Sequence, residues 1–169
     1  MTVVPPNTVA RLDFPRYIPF VEHLGMELWG LEDGKAELRL NLDQAHMNSM
    51  LVAHGGVVMT MLDVAMAHAA RSRSLMSAAE GAAVEGQDAL TAATQGSGVV
   101  TIEMKTTFMR GAAGVLRAIG TLLQRTTSMA FCEAHLIDDA GRLCAHATGT
   151  FKYVRGGQYR AERKPTEEI

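Results

Sequence analysis

The longest apolar stretch of the chain is His54-Gly55-Gly56-Val-Val-Met-Thr-Met-Leu-Asp63-Val-Ala-Met-Ala-His68-Ala-Ala70. From Gly55 to Ala70 apolar residues fall on every side of a 3.6-residue wheel and no proline interrupts them, which predicts a helix buried all round. This segment is too short and, with an acid inside it, too polar to span a bilayer, so the rest of a soluble domain or a partner subunit must cover it. Its surroundings read as strands. After the turn signal Glu32-Asp33-Gly34, Ala36, Leu38, Leu40 and Leu42 alternate with Lys35, Glu37, Arg39 and Asn41, the pattern of a half-buried antiparallel strand. Further on, Val100, Ile102, Met104 and Phe108 share one parity and Thr101, Glu103, Lys105 and Thr107 the other. Gly114 to Arg125 alternates less cleanly. Ala130 to Ile137 is joined to Arg142–Tyr153 through Asp138-Asp-Ala-Gly141, a hairpin signal; with those four residues as the loop, Glu133 would face His146. Before all of these, Pro19 to Gly25 has a proline at a helix start and a glycine at its end, so a short helix should deliver Met26–Trp29 into a first strand. The sum is an α+β domain with one buried helix between the early and late strands of an antiparallel sheet.

Organisation follows from what lies outside this pattern. Residues 1–17, with Pro5, Pro6 and Pro15 and no periodicity, read as a loosely attached arm, and 155–169 as a charged tail without a motif. Residues 74–98 are small, Gly-rich and weakly patterned, and are expected to form a long loop or an insertion within the domain of residues 18–154. At 169 residues and 47% hydrophobic content, one domain with a sizeable core is expected. A net charge of −2 argues against a nucleic-acid partner, which would call for a basic face. Met1 to Ala10 has no basic start and no apolar run of a secretory signal, and Cys132 and Cys144 lack metal-ligand spacing and read as buried reduced thiols. A cytoplasmic location, with no membrane partner, is the expectation.

Candidate chemistry concentrates at the buried helix. An ionised carboxylate in an apolar setting is costly unless paired, hydrogen-bonded or protonated, so Asp63 calls for a reason. His54-Gly55-Gly56 stands where the helix should begin, and glycines there leave backbone N–H groups open at the positive end of the dipole, suited to an anion or a developing oxyanion. Gly55 and Asp63 are eight residues apart in sequence, so they lie about 12 Å apart along one helix axis. A single reacting carbonyl cannot touch both, and two antiparallel copies of the helix would be needed to bring the glycine of one beside the aspartate of the other. The loop Asp43–Ala53, leading into the helix, adds Asn48 and His46 as candidates. His68, His135 and His146 read as core or surface residues.

The order of strand, strand, Asn48 loop, His54-Gly55-Gly56, helix with Asp63 and four further strands resembles the hotdog-fold acyl-CoA thioesterases, in their phenylacetate-degradation (PaaI-like) branch. The likeness covers about residues 18–154 and implies an antiparallel sheet wrapped around one long central helix. Asn48, His54, Gly55, Gly56 and Asp63 match the family motif in type and spacing, whereas Leu51 stands where the family usually has glycine. By this resemblance Gly55 N–H polarises a thioester carbonyl, Asn48 assists, His54 supports the loop, and Asp63 of the other subunit serves as general base or nucleophile. Thr101 matches a water-orienting hydroxyl, although its strand parity opposes the apolar face. Gly56 at the helix start and Arg110 at a strand end are candidates for holding the CoA portion of the substrate. The resemblance further implies an acyl-CoA substrate, no separate cofactor, no metal, and a homodimer at minimum, with a homotetramer built as a dimer of dimers expected. A catalytically silent acyl-CoA-binding protein and a hotdog enoyl-CoA hydratase or dehydratase are the competing readings.

Overall fold

The computed structural model describes residues 11–15, 17–85 and 98–154, and of 73–85 the helical backbone alone. The short helix α1 (Pro19–His23) opens on its proline and is closed by Gly25, whose φ of +65° is a left-handed conformation that glycine adopts without strain. Strands β1 (Glu27–Glu32) and β2 (Lys35–Asn41) pair through the turn at Gly34. Helix α2 (Gly55–Glu85) follows, then β3 (Gly98–Phe108), β4 (Val115–Arg125), β5 (Met129–Ile137) and β6 (Leu143–Val154). The six strands form one antiparallel sheet in the order β1-β2-β4-β5-β6-β3, so the strand that follows α2 crosses to the far edge.

Helix α2 lies across one face of this sheet. Met61, Leu62, Ala65, Met66 and Ala70 are fully buried against Leu38, Leu40, Leu116, Leu136 and Phe151. The floor beneath the helix is built of small residues, Ala118, Ala134, Ala147, Gly120 and Gly149, and a side chain on Gly120 would collide with the Ala65 carbonyl. No described helix is long and apolar enough to cross a membrane.

Four expectations change here. The helix does not stop near residue 73 but runs on to Glu85, so the first twelve residues of the expected 74–98 loop are helical and residues 86–97 lie outside the described residues. Ala-rich sequence needs no amphipathic pattern to be helical, because alanine has the highest intrinsic propensity. Nor is the helix covered all round by its own chain: Gly56, Met59, Thr60, Asp63 and Ala67, spaced three and four apart, form a stripe that is exposed or half-buried. The β5–β6 register also differs, with His135 opposite His146 and Glu133 opposite Thr148. The shift arises because Asp138 accepts hydrogen bonds from the Arg142 backbone and side chain, drawing Arg142 into the loop, and because the ladder is irregular between Leu136 and Ile137. Finally, the described end of the expected arm is pinned, with Leu12 N–H bonded to the Leu28 carbonyl at 2.8 Å and Phe14 edge-on to the His68 ring. Residues 1–10 and 155–169 lie outside the described residues.

His68 is a buried imidazole, with a ring nitrogen 2.9 Å from the Val64 carbonyl. Burial pushes its pKa down to about 4, partly countered by that hydrogen bond. The unfolded chain, with histidine near 6.5, takes up this proton first, so the contribution to stability is complete above pH 6.5 and is lost as pH falls towards 4. The expected loss approaches about 3 kcal/mol across that window. Urea unfolding at a series of pH values should show this slope in the wild type and a flatter one in His68→Leu.

Candidate active site

Asp63 emerges from the first third of α2 on the uncovered stripe and faces β3. Its Oδ1 accepts a hydrogen bond of 2.8 Å from the Thr101 hydroxyl. Burial pushes the Asp63 pKa above the ordinary carboxylate value, and the Thr101 hydroxyl, by donating to the anion, pulls it part of the way back. Thr101 faces the helix because β3 carries a bulge: Thr101 pairs with Phe151 and Glu103 with Thr150, which leaves Ile102 as an extra residue. Strict alternation places Thr101 with the polar parity and Ile102 with the core. The bulge turns Ile102 out, leaving it 56% exposed, and sets Thr101 and Met104 on the inner side.

Together these residues line an open cleft of about 470 Å³ whose remaining wall is apolar, contributed by α1 and α2 through Phe20, Val21, Met59 and Val64. The other polar lining group, Thr60, donates its hydroxyl to the Gly56 carbonyl one turn back. The cleft therefore presents one carboxylate, one hydroxyl aimed at it and room for an apolar group.

The start of α2 lies elsewhere. His54 closes the helix end: its carbonyl accepts from Val58 N–H, and its Nδ1 accepts from Gly56 N–H at 3.0 Å. The Gly56 N–H is thus engaged within the chain, while Gly55 N–H makes no hydrogen bond among the described residues. Gly55 does not have a positive φ, and a Cβ there would meet the Phe108 ring at an ordinary 3.6 Å. Neither backbone conformation nor crowding requires a glycine at this position, and its N–H stands at the first turn of the helix, where no intrahelical partner is available.

The preceding loop is organised by Asn48 and His46 rather than left free. The Asn48 Oδ1 accepts from Met50 N–H at 2.9 Å and from Val52 N–H, closing a turn in which Leu51 adopts φ +58°. A left-handed leucine costs about 1–2 kcal/mol relative to glycine, and here the turn holds it despite that cost. The Asn48 Nδ2 makes no hydrogen bond among the described residues and is the end of that side chain open to a ligand. His46, a sequence candidate, is buried: its Nδ1 accepts from Asp43 N–H and its carbonyl from His54 N–H, so it braces the loop. Arg110, just past β3, is exposed, anchored by its backbone N–H to the Cys144 carbonyl, and its guanidinium forms no ion pair among the described residues. Phe108, two residues before it, has its ring beside Gly55, so Arg110 follows in sequence on the glycine end of the helix. Cys132 and Cys144 are buried free thiols, and burial pushes Cys132 up to about 12.

Comparison with known proteins agrees with this architecture. The sequence model of the Thioesterase superfamily matches residues 50–145, more than half of the chain and the segment that carries Gly55, Asp63 and Thr101. The chain belongs to the Thioesterase superfamily and has the hotdog fold. Among solved structures, the conserved protein PA5202 of Pseudomonas aeruginosa is similar at 25% identity and TM-score 0.66, over 83% of this chain and 97% of that one. Thioesterase HI1161 of Haemophilus influenzae is similar at 17% identity and TM-score 0.66, over 84% and 87%. The E. coli PaaI protein from the phenylacetic acid degradation operon is similar at 16% identity and TM-score 0.65, over 81% and 85%. No curated protein matches the chain significantly.

Proposed function

We propose that this protein hydrolyses an acyl-CoA thioester to the free acid and CoA, in a site shared between two copies of the chain. The observation that carries the reading is the placement of Asp63. It stands on the open stripe of α2, in an apolar cleft, hydrogen-bonded to Thr101. Water held by the Thr101 hydroxyl and Asp63 attacks the carbonyl carbon while Asp63 takes its proton; the tetrahedral oxyanion collapses, the C–S bond breaks, and the thiolate leaves and is protonated. Direct attack by Asp63, giving a mixed anhydride that water then opens, uses the same placement.

The oxyanion needs donors within about 3 Å, and the cleft around Asp63 offers none from a helix end. Gly55 N–H is such a donor, but it lies about 12 Å from Asp63 along the same helix. Two features favour a second copy as its source: β3 is a free edge of the sheet, and the uncovered stripe of α2 runs beside it. Antiparallel pairing of two β3 edges would extend the sheet and lay the two helices side by side, Gly55 of one near Asp63 of the other. Asn48 Nδ2 would then assist Gly55, and Arg110 at the same end would meet the CoA phosphates.

Four outcomes are expected. Purified Asp63→Asn, still folded, should lose about 10²–10⁴-fold in thiol release from an acyl-CoA panel; wild-type turnover would remove Asp63 from the mechanism, and enoyl-CoA hydration in place of thiol release would point to the hydratase reading. Thr101→Val removes the hydrogen bond that favours the carboxylate, so the acid limb of the pH profile of kcat/KM should move to higher pH. A limb that stays in place would separate the two groups in solution. Arg110→Ala should raise KM for CoA esters with little change in kcat, which steady-state kinetics at low salt will show or refute. For the shared site, Asp63→Asn and Gly55→Pro chains, each inactive alone, are co-refolded. Random mixing makes about half the dimers mixed, each with one intact site, so about a quarter of wild-type activity should return; verified mixed dimers without activity would sink the shared-site reading.

A further inference from the structure

The face of the sheet turned away from α2 carries a second group of functional side chains. On β5 the buried residues are Ala130, Cys132, Ala134 and Leu136, so Glu133 and His135 project from the opposite face. On β6, His146 projects beside them, directly across the ladder from His135. One donor atom from each of the three lies within 4.8 Å of the others. His146 Nε2 and Glu133 Oε2 are 3.4 Å apart, and the two imidazole rings are 4.8 Å apart between centroids.

The geometry points to a binding site for a divalent transition-metal ion of the zinc type, held by Glu133, His135 and His146. Two imidazoles and one carboxylate form a borderline donor set that suits zinc and its neighbours and not calcium or magnesium, which require mostly oxygen. A tetrahedral ion with bonds of about 2.1 Å needs donors about 3.4 Å apart. The His146–Glu133 pair already has that spacing, and rotation of the half-buried His135 ring would close the third side. All three side chains are partly exposed, so an ion could enter without opening the core. Their direct cross-strand neighbours, Thr121 and Ile119 on β4, Thr107 on β3 and Thr148 on β6, are uncharged, and none places a competing cation against the donors.

The site is set by the observed hairpin register, in which His135 stands directly opposite His146 and Glu133 lies two residues along β5 on the same face. It lies on the other side of the sheet from Asp63, so its ion takes no part in the thioester chemistry. It would instead tie β5 to β6, leaving a fourth coordination position for water or an outside donor.

The test is a titration of the full-length protein, stripped by chelator, with zinc chloride by calorimetry and with cobalt chloride by visible absorption. The expected result is saturable binding of one ion per chain, intense cobalt bands of a low-coordinate nitrogen and oxygen site, and a rise in Tm with zinc. His135→Ala and His146→Ala should each weaken binding by at least about tenfold, the scale on which even supporting residues of metal sites act, and the double variant should show neither the cobalt bands nor the Tm shift. An absence of saturable binding in the wild type overturns the proposal. Binding that is unchanged in the double variant overturns it as well, since the ion would then sit on other histidines such as His23 or His54.

Discussion

The close seating of α2 on the sheet is the contact from which the other features follow. Gly120 lies so near the Ala65 carbonyl that a side chain there has no room, and Ala118, Ala134 and Ala147 keep the neighbouring floor low. Dense packing of this kind converts small volume changes into whole-element shifts. Because the helix cannot roll, its outward stripe is fixed, and with it the direction in which Asp63 leaves the helix and the point where the His54-Gly55 end meets β3.

Two titratable residues on this helix show what that orientation decides. Asp63 and His68 are little more than one turn apart, and burial opposes the charged form of each: it raises the acid and lowers the base. His68 is almost fully enclosed, edge-on to the Phe14 ring and hydrogen-bonded to the Val64 carbonyl, so it is held neutral. Asp63 lies on the open stripe, meets a hydroxyl and keeps access to solvent. One residue serves packing, and the other remains able to exchange a proton.

Much of this was legible in the chain. Alternation at Ala36, Leu38 and Leu40, the turns at Gly25 and Gly34, and the Asp138–Gly141 hairpin give the strands and their order, because each rests on local periodicity or backbone chirality. The distance between Gly55 and Asp63 needs only the rise of a helix. What periodicity misreads is each place where the count of residues matters more than their type. The helical stretch from residue 74 to Glu85 lies in sequence with no apolar stripe, the hairpin register depends on Asp138 capturing Arg142, and Thr101 reaches Asp63 only through a bulge. Asn48 and His46 are visible as polar loop residues, but which of their atoms brace the loop is decided by hydrogen bonds that no spacing encodes.

The bulge at Ile102 divides β3 into two segments with opposite phase. Upstream of it Thr101 looks towards the helix; downstream, Met104 and Phe108 do. A strand one residue shorter here could keep the same composition and the same alternation, yet its upstream half would be turned over, with the hydroxyl in solvent and a different side chain against the acid. In comparing relatives, an insertion or deletion between Thr101 and Glu103 therefore carries more information than any substitution there, and an alignment that slides by one position across this point exchanges the two faces of the strand.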